Sequence, residues 1–258
     1  MAGHYYSAQG TPCHTQITMT GVNKGKERNT NLRDARKLNL YPSVTTILGI
    51  MDKGALTSWK INQAVLASLT CPRKDDETEK AWVYRVIHQD ATEGAKAAAE
   101  EGTRIHNVLE DYYNGQTPHI DDAGIVQAVT HAIKAEIGDY GWIPEETSVH
   151  AEQGYAGTVD LHSPDWVLDF KTKDGDLEKV QCYDDHYRQL AAYRESLGLP
   201  EAQCANVFIS RDSKDENGRP FVKVVIHKEA KTVKAWEEFK AILNCWQVIK
   251  GYKPSEEA

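Results

Sequence analysis

The stretch from Tyr155 to Lys173 constrains the fold more than any other part of the chain. It reads as two short apolar strands separated by a Ser-Pro-Asp turn. Side chains alternate between the two faces of a strand, so Asp169 and Lys171 are expected to point the same way. The turn folds Asp160 across beside Asp169. The sequence therefore predicts a β-hairpin on which two carboxylates and one ammonium group converge.

This convergence is typical of metal-dependent phosphodiester hydrolysis. Paired carboxylates bind a hard cation such as Mg²⁺ or Mn²⁺, and a nearby lysine orients water or neutralises phosphate charge. Asp169 lies among large apolar neighbours, where an uncompensated carboxylate is costly. The alternative is an ion pair on a solvated hairpin, either Asp169 with Lys171 or Asp160 with Lys173. The hairpin alone leaves both interpretations open.

Length and charge limit the class of protein. The 258 residues suit one α/β domain with a helical elaboration. The 38 acidic and 30 basic residues give a formal charge of -8, which argues against coating nucleic acid by net charge. Any DNA contact is therefore expected to be local.

Cysteines and apolar runs indicate the compartment. The five cysteines are scattered and include no C-x-x-C pair, so neither a disulfide framework nor a zinc ribbon is expected. No leader-like segment opens the chain, and no uncharged apolar run approaches ~18 residues. We expect a soluble, intracellular protein without a membrane partner.

Periodicity divides the chain into four segments. These are a polar segment with turns and short strands at best, a helical region, a mixed core and a tail, at residues 1–41, 42–142, 143–250 and 251–258. In the helical region, Ser43 is the predicted N-cap of a short helix, Gly102 the boundary between two helices, and Gly115 a C-terminal stop. The predicted helices cover about 44–51, 56–71, 76–114 and 121–140.

The core alternates strands and helices. Its predicted order is αβββαββα, with strands at 148–152, 155–161, 166–171, 204–211 and 221–227 and helices at 181–197 and 229–249. The last helix carries an apolar stripe that is either buried or a docking surface for a recombination partner. Its residues are Val233, Trp236, Phe239 and Trp246.

Further candidate residues surround the hairpin. Glu152 lies on the preceding predicted strand, where it supplies a third oxygen ligand or is merely a surface glutamate. Gln189 and Tyr193 share one helix face and are candidates for phosphate and base or sugar contacts. His106 is a candidate nitrogen ligand, although a lone histidine usually has no such role.

The helical region mixes cations with aromatic side chains, which suits the phosphates and bases of a single strand. We consider an arch that guides DNA and, equally, helix packing with a solvated cationic face. The candidate DNA-binding residues are Trp59, Lys60, Arg85 and Arg104.

Five separated blocks, in order, resemble the RecB-like branch of the PD-(D/E)xK nuclease superfamily. They are Gly102-Thr103-Arg104-Ile105-His106, Glu152, Gly157-Thr158-Val159-Asp160, Asp169-Phe170-Lys171-Thr172 and Gln189-Leu190-Ala191-Ala192-Tyr193. The segment from Pro42 to Lys60 also resembles the amino-terminal element of phage exonucleases and mitochondrial genome maintenance exonucleases. The resemblance covers about residues 42 to 230.

The resemblance implies a restriction-endonuclease-like αβββαβ core with a mixed central sheet. It implies Asp160 and Asp169 as principal metal ligands, His106 and the Phe170 carbonyl as further ligands, and Lys171 beside the attacking water. Catalytic roles for Glu152 and Gln189, and DNA contacts by Gln189 and Tyr193, also follow from it. The implied cofactor is Mg²⁺ or Mn²⁺.

Two departures from the family pattern stand out. Val159 precedes Asp160 where the family name has proline, and Pro164 lies in the turn. Some relatives bind an iron–sulfur cluster through one early and three late cysteines. Cys204 and Cys245 do not supply that group, so we predict no cluster.

The resulting hypothesis is a metal-dependent DNA exonuclease of phage or bacterial recombination, repair or replication, which the resemblance implies acts in the cytoplasm of a bacterium or a phage-infected host cell. Its expected partners are linear DNA, with single-stranded ends among the candidates, and a single-strand annealing or replication protein. The alternatives are a catalytically silent DNA-binding or anti-defence protein on the same fold, and a structure-specific endonuclease.

Overall fold

A computed structural model describes residues 3–51 and 53–255. The described chain divides into two units, one of residues up to Ile50 and from His106 onward, the other between Met51 and Ile105. Its helices are α1 (Leu32–Leu38), α2 (Val44–Leu48), α3 (Gly54–Thr70), α4 (Glu79–His88), α5 (Glu93–Tyr113), α6 (Ala123–Glu136), α7 (Asp184–Ser196) and α8 (Glu229–Lys250). Among these described helices, none is both long and apolar enough to cross a bilayer.

The first unit contains a mixed sheet. Before it come the short strands β1 (Tyr5–Tyr6), β2 (Thr15–Ile17), β3 (Glu27–Asn29) and β4 (Tyr41–Pro42). The described residues of the sheet form five strands in sequential order, β5 (Ile143–His150), β6 (Tyr155–Ser163), β7 (Trp166–Lys173), β8 (Gln203–Lys214) and β9 (Pro220–Ile226). Only the β7–β8 pair among them is parallel. The predicted α/β class with a mixed central sheet is confirmed.

The parallel pair explains the position of α7. Parallel neighbours require a crossover connection, and α7 supplies it between β7 and β8. Leu190 and Ala192 of α7 are fully buried in the core against Val159 and Val167 of the sheet. The Tyr155 hydroxyl donates a 2.9 Å hydrogen bond to the Ala192 carbonyl, which ties α7 to β6.

The last helix closes this core. Phe239 and Trp246 are 0% and 1% exposed and lie in the same cluster, and Trp236 packs against it. The buried-stripe interpretation therefore holds for these three residues. Val233 is 49% exposed and lies outside the stripe.

Several predicted boundaries differ from the structure. The N-terminal segment contains helix α1, whose Asn31 side chain accepts from the Arg33 and Asp34 amides while Asp34 accepts from the Asn31 amide. Asp34 also pairs with Arg28 at 2.6 Å. This reciprocal capping stabilises a short helix within polar sequence, so the expectation of only turns and strands was wrong.

The predicted break at Gly102 was also wrong. Helix α5 runs through Gly102 without interruption, and the chain breaks instead at Gln89, whose φ and ψ are -121° and -72°. One glycine costs a helix only about 1 kcal/mol, which flanking alanine and glutamate tolerate. The stop at Gly115 is confirmed, since α5 ends at Tyr113 and Gly115 has a φ of 86°.

A close approach between sheet and helix generates the first prediction. A Cβ at Gly157 would lie 2.4 Å from Cε1 of Tyr193, whose ring is buried. We expect Gly157→Ala to reduce the free energy of unfolding by about 1–3 kcal/mol through overpacking. Urea denaturation measures this. Gly141→Ala is the matched control, because a Cβ there meets nothing within 4 Å; equal stability of the two variants would contradict the packing argument.

Candidate metal centre and active site

Three elements of the first unit bring an imidazole and two carboxylates together. His106 lies on α5, Glu145 on β5 and Asp160 on β6, with one ligand atom of each within 4.8 Å of the others. His106 Nδ1 lies 3.6 Å from Asp160 Oδ2. All three side chains are partly buried.

Sheet register explains how Glu145 reaches Asp160. The antiparallel pairing of Pro144 with Leu161 and of Glu146 with Val159 sets Glu145 opposite Asp160. Glu145 has a φ of 47°, in the left-handed region that residues other than glycine rarely adopt. Such strain is retained where surrounding structure imposes it, commonly at functional sites.

A buried ion pair lies on the adjacent strand. Asp169 is 1% exposed, and Lys171 Nζ lies 2.6 Å from its carboxylate. Asn206 of β8, paired with Asp169 in the parallel register, donates from Nδ2 to Oδ2 at 2.7 Å. Both Asp169 oxygens therefore have partners. The Asp169–Lys171 ion pair considered from the sequence exists, but its carboxylate is buried rather than solvated.

The hairpin register connects this pair with Asp160. Leu161 pairs with Leu168, so Asp160 and Asp169 lie at adjoining positions one step further along the strands. The Phe170 amide donates to Asp160 Oδ2 at 2.7 Å, which orients that carboxylate. Asp160, Asp169 and Lys171 thus come together as the sequence suggested. Metal ligation by Asp169 and by the Phe170 carbonyl stays a prediction.

A polar network lies behind Asp169. His227 Nε2 donates to Asn206 Oδ1 at 2.8 Å, and Cys182 Sγ lies 3.4 Å from the same oxygen. The Tyr187 ring packs 4.2 Å from the His227 ring. Sequence reasoning missed Asn206 and His227. An asparagine inside the apolar run of β8 was the available signal, because a buried amide needs partners.

The pKa values of the acids at this site are shifted because the acids are buried and lie close together. Burial raises the pKa of Glu145 to about 7, and the charges of Asp160 and Glu110 add to this. Burial also raises the pKa of Asp169 against the opposing effect of Lys171. For Asp160, hydrogen bonding and charge from His106, with Lys171, outweigh burial and lower the pKa. Acids that repel one another in this way are relieved by a cation.

The donor set therefore fits a divalent cation. Two carboxylates favour Mg²⁺ or Mn²⁺, and one imidazole is compatible with Mn²⁺ among the oxygen-preferring metals. His106, Glu145 and Asp160 are the residues that would hold it.

Glu152 is placed differently from its prediction. The strand expected at 148–152 is β5 at Ile143–His150, and Glu152 lies in the exposed turn between β5 and β6. The carboxylate that the structure brings to Asp160 is Glu145. The prediction used sequence distance from Asp160, whereas the hairpin register selects the residue that faces it.

Gln189 and Tyr193 share a face of α7, as predicted, and Gln189 Nε2 donates to the Tyr193 hydroxyl at 3.1 Å. Tyr193 is only 5% exposed, and its ring packs on Gly157. The Tyr193 ring therefore has a packing role, and its contact with DNA stays a prediction. Gln189 is partly exposed, and its contact with DNA stays a prediction.

The remaining candidates belong to the second unit. Arg85 pairs with Glu77 at 2.9 Å and with Asp90 at 2.6 Å, so its guanidinium connects helix α4 to its flanking segments. Its contact with DNA stays a prediction. Arg104 pairs with Glu101 at 2.7 Å. Trp59 is 42% exposed and Lys60 is exposed. DNA contacts by Trp59, Lys60 and Arg104 stay predictions.

Comparisons with known proteins give weak structural likenesses. An alkaline exonuclease (LHK-Exo) from Laribacter hongkongensis matches 84% of this chain and 93% of its own, with a TM-score of 0.41 and 15% identity. The structure of SSO0001 matches over 74% of this chain and 88% of its own, with a TM-score of 0.31 and 15% sequence identity. The structure of LHK-Exo in complex with dAMP matches over 58% of this chain and 82% of its own, with a TM-score of 0.32 and 16% sequence identity. No family model and no curated protein matches. At these TM-scores the likenesses carry no argument about activity.

The metal centre predicts a contrast between two glutamates. We expect Mn²⁺ to raise the melting temperature of the wild-type protein, because a ligand that binds only the folded state stabilises it. Glu145→Gln should weaken Mn²⁺ affinity about tenfold or more, with a correspondingly smaller shift. Glu152→Gln, in the exposed turn, is the matched control and should retain the full shift. Thermal-shift titration measures both; equal loss in the two variants would contradict the assignment of Glu145.

Burial of His227 predicts a pH effect on stability. Burial lowers the pKa of His227 to about 3, with repulsion from His186 and Lys231 adding to it. The unfolded state takes up the proton near pH 6.5, so the free energy of unfolding should fall as pH decreases below that value. We expect wild type to lose about 1.4 kcal/mol more than His227→Gln between pH 7.5 and 5.5. Urea denaturation at both pH values measures this. Equal losses of the free energy of unfolding in wild type and His227→Gln would contradict this assignment to His227.

Proposed function

We propose that this protein is a Mg²⁺- or Mn²⁺-dependent deoxyribonuclease that releases nucleotides from DNA ends. The observation that carries the proposal is the juxtaposition of two groups of side chains. His106, Glu145 and Asp160 converge within 4.8 Å, and the buried Asp169–Lys171 pair adjoins Asp160 across the hairpin. A carboxylate and imidazole cluster that could hold a metal ion, beside a fixed ammonium, is suited to metal-assisted phosphodiester hydrolysis.

Several residues of the chain would have separate roles in this activity. A divalent cation, when bound, supplies Lewis-acid polarisation of the phosphate and a lowered pKa for water. Phe170 and His106 orient the Asp160 carboxylate from two sides. Asp169 holds the Lys171 ammonium on the same face of the hairpin, and Asn206 holds Asp169.

The charge state of Lys171 specifies its role. Burial lowers the pKa of Lys171, but the Asp169 and Asp160 charges outweigh burial and raise it above its usual value. Lys171 therefore stays protonated and acts by donating hydrogen bonds. Its side chain is 27% exposed, so the ammonium is accessible to a phosphate oxygen or to the attacking water. This favours orientation and charge neutralisation by Lys171 over proton removal.

The end preference and the biological setting rest on the sequence resemblance. Phage or bacterial recombination, repair or replication is the proposed setting, with linear DNA as substrate. Digestion of 5′- or 3′-end-labelled linear DNA, alongside internally labelled covalently closed circular DNA, tests end dependence. Degradation of linear DNA with circles left intact is expected. Efficient cutting of closed circles would replace the exonuclease assignment with an endonuclease, and no metal-dependent release at all would leave a silent DNA-binding fold.

Lys171 generates the decisive activity prediction. We expect Lys171→Ala to reduce Mg²⁺-dependent nucleotide release by about 100-fold or more, because a positioned ammonium no longer stabilises phosphate charge. Release from end-labelled DNA measures this.

Controls separate chemistry from folding in that experiment. Lys173→Ala is the matched control two positions along the same strand; its ammonium lies 4.9 Å over the Tyr183 ring, and near-normal release is expected. Because Lys171→Ala leaves the buried Asp169 without its cation, the double variant Lys171→Ala/Asp169→Asn tests the same loss without an uncompensated charge. Unchanged cleavage by folded forms of both Lys171 variants would refute the role of Lys171.

A further inference from the structure

A cavity of about 510 Å³ lies in the first unit, outside the set of residues assigned above. Its volume falls within the range of about 300–1,000 Å³ that small-molecule sites occupy. Aromatic and basic side chains from α5, α6, the approach to β5 and the β8–β9 hairpin line it. They include Tyr112, Tyr113, His131, Lys134, Trp142 and Arg219.

Two elements connect this cavity to the metal centre. Tyr113 follows His106 by seven residues on α5, which is two turns, so both side chains lie on one helix face about 10 Å apart. Trp142 precedes Glu145 by three residues, a span of at most about 11 Å. The walls of the cavity and the ligands of the centre are therefore continuous along α5 and at the start of β5.

Aromatic rings form part of the cavity lining, beside polar side chains that include Asp139. The Tyr112 and Tyr113 rings lie 5.3 Å apart in an edge-on arrangement, and Trp142 packs 5.5 Å from Tyr140. Tyr113 and Trp142 are partly buried, which holds their rings in place while leaving surface open to a ligand. Rigid, partly exposed aromatic faces stack well on nucleobases, whatever the base.

Cations flank these rings. Lys134 pairs with Asp139 at 2.7 Å and Arg219 with Asp215 at 2.8 Å. Their side chains are 69% and 42% exposed, and an ammonium or guanidinium with one acid partner retains further donors. The cavity therefore combines stacking surfaces with donors suited to a phosphate or to a base edge.

We propose that this cavity binds an unstacked nucleobase of the DNA strand whose phosphate lies at the metal centre. The inference rests on the proposed function and deepens it by naming the substrate class, a strand that is single-stranded beside the cut. About 10 Å corresponds to roughly three nucleotides at the 3.4 Å spacing of one strand in a duplex, and to fewer in an extended strand. A paired base does not reach the cavity, because its faces are covered by its neighbours.

Abasic scanning tests the proposal without catalysis. A labelled single-stranded 12-mer is bound in the presence of Mg²⁺ by the Lys171→Ala protein, which retains His106, Glu145 and Asp160. Fluorescence anisotropy is measured for oligonucleotides that carry one abasic nucleotide at each of the first six positions from either end. One position, or two adjacent positions, should weaken binding about tenfold. Trp142→Leu should weaken binding of the intact oligonucleotide about tenfold. In that variant, an abasic nucleotide at the same position should cause no further loss of affinity. Trp142→Phe, which retains a ring, should behave nearly as Trp142 does.

The outcomes distinguish this inference from the proposed function. Binding does not require turnover, so the abasic effect supports the cavity even where the wild-type protein releases no nucleotides, a result that would refute the nuclease alone. The inference is overturned, even in an active enzyme, if no abasic position weakens binding. It is also overturned if the losses of affinity caused by Trp142→Leu and by the abasic position add together. Should dAMP bind and Trp142→Leu weaken it while the scan stays flat, the cavity is a free-nucleotide site and the proposal fails. If Trp142→Leu does not fold by circular dichroism, Tyr112→Leu with Tyr112→Phe as control gives the same comparison.

Discussion

The buried carboxylate of Asp169 is the interaction on which the site depends. An isolated charge at 1% exposure is strongly unfavourable, and this one is compensated by the Lys171 ammonium and the Asn206 amide. Asn206 is held in turn by His227, which requires β8 and β9 to lie in their observed register. The parallel pairing of β7 with β8, and hence the crossover through α7, is thereby coupled to the position of one ammonium group.

The candidate metal centre lies on the neighbouring strand of the same hairpin. Asp160 adjoins Asp169, accepts from the Phe170 amide, and faces Glu145 across β5. Glu145 reaches this position with a left-handed backbone, and burial among acids raises its pKa to about 7. The left-handed backbone of Glu145 and the repulsion among the acids therefore occur at the same point, where a cation would relieve the repulsion. Such a coincidence is expected at functional sites.

The sequence predicted the features that depend on local periodicity and missed those that depend on register. The αβββαββα order and the hairpin follow from strand alternation, helix spacing and turn residues. Glu145 was missed because an antiparallel register cannot be read from residue spacing until the turn and strand ends are known, so Glu152 was chosen instead. Asn206 and His227 were missed because a partner across a parallel pair lies 37 residues from Asp169, beyond any local pattern. The ion pairs of Arg85 and the burial of Tyr193 likewise depend on the fold and are not visible in the residue types.

A net charge of -8 makes stacking the appropriate means of holding a strand. Phosphate contacts draw on long-range attraction that an acidic protein lacks and that salt weakens further. Stacking on Tyr113 or Trp142 needs no net positive field and acts at contact distance. A cation at the His106 cluster would supply the local positive charge for one phosphate, and rings about 10 Å away on α5 and before β5 would hold the chain that carries it. In the proposed function, one ion and a few rings would together allow an acidic protein to bind a polyanionic strand.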